Sequence, residues 1–205
     1  MKTVVATLLP IAMILAFGYY VALLERDTAR QNKLCEPYSE FECVHFRVEG
    51  RDAVVVKPGT AAQGNPWVWR ALFFGHQPQV ELQLLSTGYH VGFVDTTGLF
   101  GSEAAIDIWN SFYHRLVSEF LLAEWVALEG MSRGALPLYR WASANADRVC
   151  AIYADAPVTD LCSWPAGTGK GRGSKKDWDA VVTAYGSEVG QKCDEFPSPI
   201  NQLES

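Results

Sequence analysis

The sequence predicts an α/β domain, a mostly parallel sheet flanked by helices. Three observations predict it. Short apolar runs alternate with segments of helical spacing, the pattern of strands joined by crossover helices. The runs are bounded by Gly, Pro and Asp, which stop strands and open turns. Hydrophobic residues make up 49% of the 205-residue chain and charged residues 20%, enough apolar surface for one domain with a real core.

Taken in order, Phe41 to Val48 alternates loosely between apolar and polar positions and reads as a half-buried strand. Arg51-Asp52 is a turn. Ala53-Val54-Val55-Val56 is a compact strand stopped by Lys57-Pro58-Gly59, and Trp67 to Phe74 is a further strand ended by Gly75. Gln77 to Ser86 has helical spacing and closes at Gly88. Tyr89 to Asp95 is a buried strand ending in a carboxylate. Ser102 can cap a helix reaching Phe120, because Ala105, Trp109, Phe112, Leu116 and Phe120 form one apolar stripe. Glu124 to Glu129 is a short strand, Ala135 to Asn145 a helix, and Val149 to Tyr153 a last apolar strand ending at Asp155-Ala156-Pro157. Residues 163–176, rich in Gly, Lys and Ser, lack the register of a phosphate loop and read as a flexible basic surface loop.

The first 24 residues stand apart. After Met1-Lys2 no charged side chain occurs until Glu25, and about 20 apolar residues suffice to cross a bilayer core as a helix. Residues 1–24 are therefore expected to be a signal anchor or a cleaved signal peptide, with a buried core helix as a third reading. The run lacks a convincing Ala-x-Ala site, which favours the anchor. Residues 25–40 are polar and of mixed charge and read as a linker, leaving 41–205 as the domain. Arg26, Arg30 and Lys33 follow the run whereas only Lys2 precedes it, a bias that by itself places the domain in the cytoplasm. Against that bias, a compact domain behind an N-terminal apolar segment favours a membrane-anchored or secreted protein, periplasmic or extracellular, contacting the membrane through residues 3–24.

A net charge of −6 excludes a nucleic-acid binder, which needs a basic face against phosphates. Of the five cysteines, Cys35–Cys43 and Cys150–Cys162 could close short loops in an oxidising compartment, leaving Cys193 unpaired. Cys150 reads equally as a small buried hydrophobe within its strand. The cysteines and the four histidines (His45, His76, His90, His114) show no metal-ligand spacing, and no metal or cofactor is expected.

The chemistry concentrates at Gly130-Met131-Ser132-Arg133-Gly134, where an apolar strand ends and a helix begins. A turn this tight strains the backbone of its serine and projects the hydroxyl from the end of the sheet. Gly130 and Gly134 stand where side chains would meet neighbouring backbone. The Arg133 N–H, at the start of the helix, can donate to a developing oxyanion. A second donor is expected from the loop between Trp69 and Gly75. Arg70 is a candidate oxyanion or substrate contact there, or simply a surface arginine at a strand end. His76 reads as a solvent-facing loop residue. Asp155 is a candidate acid, or a residue that holds its loop.

These residues resemble the bacterial α/β-hydrolases of the esterase group, acetyl xylan esterase-like and prolyl-oligopeptidase-like. The stretches that carry the resemblance are Pro66 to His76, Gly88 to Val91, Asp95 to Ser102, the Ser132 turn, Asp155 to Val158 and Ser163-Trp164-Pro165. The resemblance implies an α/β-hydrolase fold with Ser132 as nucleophile, acting on a small-molecule carboxylic ester through an acyl-serine. Enzymes of this fold order their triad as serine, acid, histidine, yet no histidine follows Ser132. The expectation is a domain incomplete at its C-terminal strands and inactive or nearly so by itself, since a serine needs a base to take its proton. The alternatives are a non-catalytic, membrane-tethered binding protein on the same fold, and a peptidase of that fold.

Overall fold

The computed structural model describes residues 5–169, 171–186 and 192–202. Six strands form one mixed sheet: β1 (Glu42–Val48), β2 (Arg51–Lys57), β3 (Trp67–Arg70), β4 (His90–Val94), β5 (Val126–Met131) and β6 (Val149–Asp155), in the order β1-β2-β4-β3-β5-β6. The pairs β1·β2 and β2·β4 are antiparallel; β4, β3, β5 and β6 run parallel to one another. Helices α2 (Gln79–Ser86), α3 (Glu103–Glu119) and α4 (Ala135–Ala144) fall within a residue or two of their predicted bounds. The strand expected from Trp67 to Phe74 stops at Arg70, because the chain turns there into a loop with Phe73 and Gly75 at positive φ. Ser102 occupies the cap position of α3, although its hydroxyl makes no capping bond.

Period-two alternation on the central strands divides the core. Trp67 and Trp69 of β3 and Leu128 of β5 point to the α3/α4 side, where they pack with Trp109, Phe112, Leu116, Leu138 and Trp141. The ring centroids of Trp69 and Trp109 lie 4.1 Å apart. Val68 points to the other side, where Val54, Val56, Leu85 and Val91 meet Cys35 and Tyr38. A third, smaller cluster joins Phe100 and Leu136 to Leu161, Val181 and Phe196, and so fastens the segment after β6 onto the body.

That segment differs from the sequence reading. Lys175–Tyr185 is a helix, α5, capped by Ser174, whose Oγ accepts from the Asp177 N–H. The glycine-rich stretch before it is a closed loop in which a Cβ on Gly167 would lie 2.6 Å from backbone atoms of Gly173. Gly167 and Gly173 are there because two backbones touch. The cysteine pairing is also different. Cys35–Cys43 is bonded, but Cys162 pairs with Cys193, not with Cys150. Cys150 is free and exposed on β6, neither bridged nor buried. It sits on a strand whose central residues are all exposed, while Cys162 lies in the turn that the segment around Cys193 folds back onto.

Toward the N-terminus, α1 (Val5–Cys35) is continuous through most of the stretch read as a linker, and a 3-10 turn, Glu36–Tyr38, leads into β1. Its last residues are fastened to the sheet by the Cys35–Cys43 bond and by the buried Tyr38 ring. Most side chains of the predicted anchor, at 1–12, 14, 15, 17, 18 and 24, lie outside the described residues. Among the described residues no helix is long and apolar enough to cross a membrane.

Candidate functional site

Ser132 follows the last residue of β5 and opens a 3-10 turn, Ser132–Gly134, that runs directly into α4. Its φ is +52°, the left-handed region that a non-glycine residue enters only under constraint. The constraint is visible on both sides. A Cβ on Gly130 would lie 2.7 Å from Leu138 Cδ1, and one on Gly134 would lie 3.3 Å from Leu72 Cβ. Only glycines allow α4 to start this close to β5 and to the loop after β3. The Ser132 carbonyl accepts from the Val158 N–H at 3.0 Å, which ties the chain after β6 to the turn.

The Arg133 N–H is among the first amides of the turn, which have no acceptor within the helix. Across from it, the loop 71–76 leaves β3 at the same end of the sheet. Ala71 N donates to Glu129 O at 2.8 Å, whereas the Leu72 and Phe73 amides have no acceptor among the described residues. These amides and Arg133 N–H are the available donors for an oxyanion. Leu72, Phe73 and Arg133 line a cavity of about 270 Å³ with Leu34, Phe74 and Phe93. Its rim is charged: Arg30 of α1 bridges Asp52 and Asp95 at 3.1 and 3.4 Å. The Arg133 side chain turns away toward Asp177 of α5, 3.2 Å away, and lies over the rings of Phe73 and Phe100.

The other predicted residues are placed differently. The Arg70 guanidinium does not face the cavity; it is 4% exposed and turned into the sheet's second face. Alternation along β3 puts it on the side of Val68, and register puts Glu129 of β5 opposite it. Its Nη1 pairs with Glu129 Oε1 at 2.5 Å and with Glu81 Oε1 of α2 at 3.2 Å. Its remaining donors hold the site loop, Nε to Leu72 O at 2.9 Å and Nη2 to His76 O at 3.1 Å. Asp155 is exposed at the end of β6 and makes no bond to its own loop. Loop holding falls to Asp160, which accepts from the Cys162 and Ser163 amides. His76 is exposed, as expected of a loop residue.

No side chain among the described residues hydrogen-bonds the Ser132 hydroxyl. His90 begins β4, at the opposite end of the parallel strands, and burial holds its ring below the usual histidine range. His45, on β1, contacts Cys35 Sγ at 3.3 Å, also with its pKa pushed down by burial. Cys35, Cys43 and His45 are the one cluster of metal-capable groups among the described residues, but both thiols are consumed by the disulfide.

Glu81 and Glu129 went unremarked in the sequence, although a signal was present. Arg70 closes β3 and Glu129 lies within β5, each the one charged residue of an otherwise apolar strand. Burial, and next Glu81, push the Glu129 carboxyl up to about 7 against the opposing pull of Arg70. Glu81 is raised by burial and drawn back by Arg70. Tyr38, which donates to Glu81 Oε1 at 3.5 Å, is raised by burial and by that carboxylate.

No protein-family model matches the sequence. No curated protein matches it either. Among solved structures it is similar to the uncomplexed acylaminoacyl peptidase of Pyrococcus horikoshii, with a TM-score of 0.55 and 20% identity over 80% of this chain and 30% of that one. An esterase of Pyrococcus furiosus is similar at a TM-score of 0.50 and 17% identity, over 80% of this chain and 66% of the other. Epoxide hydrolase A of Mycobacterium thermoresistibile aligns at 25% identity and a TM-score of 0.41 over 56% of this chain and 38% of its own. The chain thus spans 30% to 66% of the lengths of these proteins. The two likenesses to the Pyrococcus proteins, at 20% and 17% identity, speak to architecture: the chain carries an α/β-hydrolase fold.

Proposed function

We propose that this is a serine hydrolase domain whose chemistry is acyl transfer from a small carboxylic ester to Ser132. The observation that carries the reading is the strained Ser132 at the end of β5, with the Arg133 amide next in the turn and the unbonded Leu72 and Phe73 amides on the loop at the same end of the sheet. In the reaction, Ser132 Oγ bonds to the ester carbonyl carbon, its proton passes to an imidazole base, and the carbonyl oxygen becomes an oxyanion held by those amides. Collapse breaks the bond to the leaving alkoxide, which takes the proton. Water then releases the acid by the same steps in reverse. None of the described residues supplies the imidazole, so by itself the chain is slow or inert. In this reading the base is supplied from outside the described residues, and the exposed central residues of β6 leave a face that another element can cover.

The test is acylation of the purified chain by p-nitrophenyl acetate with and without added imidazole, read as the mass of the Ser132 peptide. Acetylation that depends on imidazole and disappears in Ser132→Ala supports the reading. Rapid Ser132-dependent turnover without imidazole overturns the assignment of an absent base. No acetylation under either condition favours a second reading, a binding protein on a hydrolase fold, which the missing contact to the Ser132 hydroxyl supports. A peptidase would differ only in accepting amides. The same proposal places the domain in an oxidising compartment, secreted or membrane-anchored through residues 3–24, which the two disulfides favour.

A further inference from the structure

The cluster beneath the site has features that packing alone does not require. Two carboxylates and one guanidinium meet with exposures of 0% for Glu81, 3% for Glu129 and 4% for Arg70. One cation faces two acids. Glu81 Oε2 and Glu129 Oε2 both find no hydrogen-bond partner among the described residues. Three secondary elements and a turn contribute the charged and titratable groups: Arg70 from β3, Glu81 from α2, Glu129 from β5, and Tyr38 from the turn before β1. The same Arg70 donates to both ends of the loop that carries the Leu72 and Phe73 amides.

We propose that Arg70, Glu81 and Glu129 are positioning residues for the oxyanion loop 71–76, and that a single proton shared by the two glutamates sets how firmly the loop is held. With one glutamate neutral, the guanidinium balances the remaining carboxylate, and its Nε and Nη2 stay committed to Leu72 O and His76 O. With both ionised, an uncompensated negative charge is buried between α2 and β5. That state is relieved by opening, which lets water reach the carboxylates. The loop is therefore firm in acid and loosens as that shared proton leaves. The role as an oxyanion loop rests on the serine-hydrolase reading; the proton-coupled hold on the loop does not.

The experiment measures amide hydrogen exchange of residues 71–76 in the full chain from pH 4.5 to 8.5, as protection relative to the intrinsic rate at each pH. Opening linked to release of one proton raises the opening constant by up to about tenfold per pH unit, levelling off near pH 7. Glu129→Gln, which keeps the shape and removes the titration, is expected to flatten that profile while protection in α3 is unchanged. Glu81→Gln gives the same comparison if Glu129→Gln does not fold. Identical pH profiles in wild type and the folded glutamine variant overturn the proposal. Imidazole-supported acetylation of Ser132 is followed in parallel. Its absence, with the exchange profile as expected, removes the hydrolase reading and leaves the coupling standing.

Discussion

The two faces of the sheet are held by different physics, and β3 feeds both. On the α3/α4 side Trp67 and Trp69 enter an aromatic stack with Trp109, Phe112 and Trp141. On the α2 side, one residue further along the same strand, Arg70 enters a buried ion cluster. The aromatic face gains from area and close contact, which do not depend on pH. The charged face returns little net stability, because desolvation offsets most of the attraction. What it provides is a response to protonation, delivered to the loop beside Ser132. A fold can thus place its rigid support and its adjustable support on opposite sides of one strand.

The sharpest way to break this comparison is Arg70→Met. Removing the cation strands two buried carboxylates and is expected to cost about 3–5 kcal/mol, more at pH 8 than at pH 5, by urea denaturation at both values. Trp69→Ala should cost a similar amount, about 3–5 kcal/mol, but equally at both pH values. If the two variants show the same pH dependence, the division between the faces fails.

A smaller effect sharpens the charged side. Glu129 is raised in the folded state from 4.5 to about 7, so the fold favours its protonated form. Stability from this group is present in full below 4.5, declines as pH rises, and is lost above 7. The decline amounts to about 3 kcal/mol and should be missing from Glu129→Gln in urea titrations across that window.

Two further substitutions probe the site loop from outside the cluster. Gly134→Val crowds Leu72 and should cost about 1–3 kcal/mol, with faster amide exchange at Leu72 and Phe73. Asp177→Asn, which releases the Arg133 side chain from α5, should cost no more than about 1 kcal/mol, since both partners are partly exposed. That small loss should shrink further in high salt.

Much of the fold was legible because it depends on local pattern. The apolar stripe of α3, the valine run of β2 and the glycine-bracketed Ser132 announce themselves within a few residues of chain. Other features depend on partners far apart in sequence. Cys162 was expected to bond Cys150, 12 residues earlier, but closes onto Cys193, because α5 and the turn after it fold back over Leu161 and Phe196. Helix α5 is not announced locally, since the glycines before it read as a flexible loop until Gly167 and Gly173 meet. Arg70 looked like a surface or substrate-facing cation because its two carboxylate partners lie 11 and 59 residues away.

The sequence by itself determined the class of fold, the strained serine with its glycines, and the lack of a histidine after it, since these reside in period, spacing and residue identity. Tertiary structure alone decided which charges are buried together, which cysteines pair, and which backbone amides remain free beside Ser132. Those outcomes depend on strand register and on how helices return to the sheet, and a chain of side chains read in order carries neither.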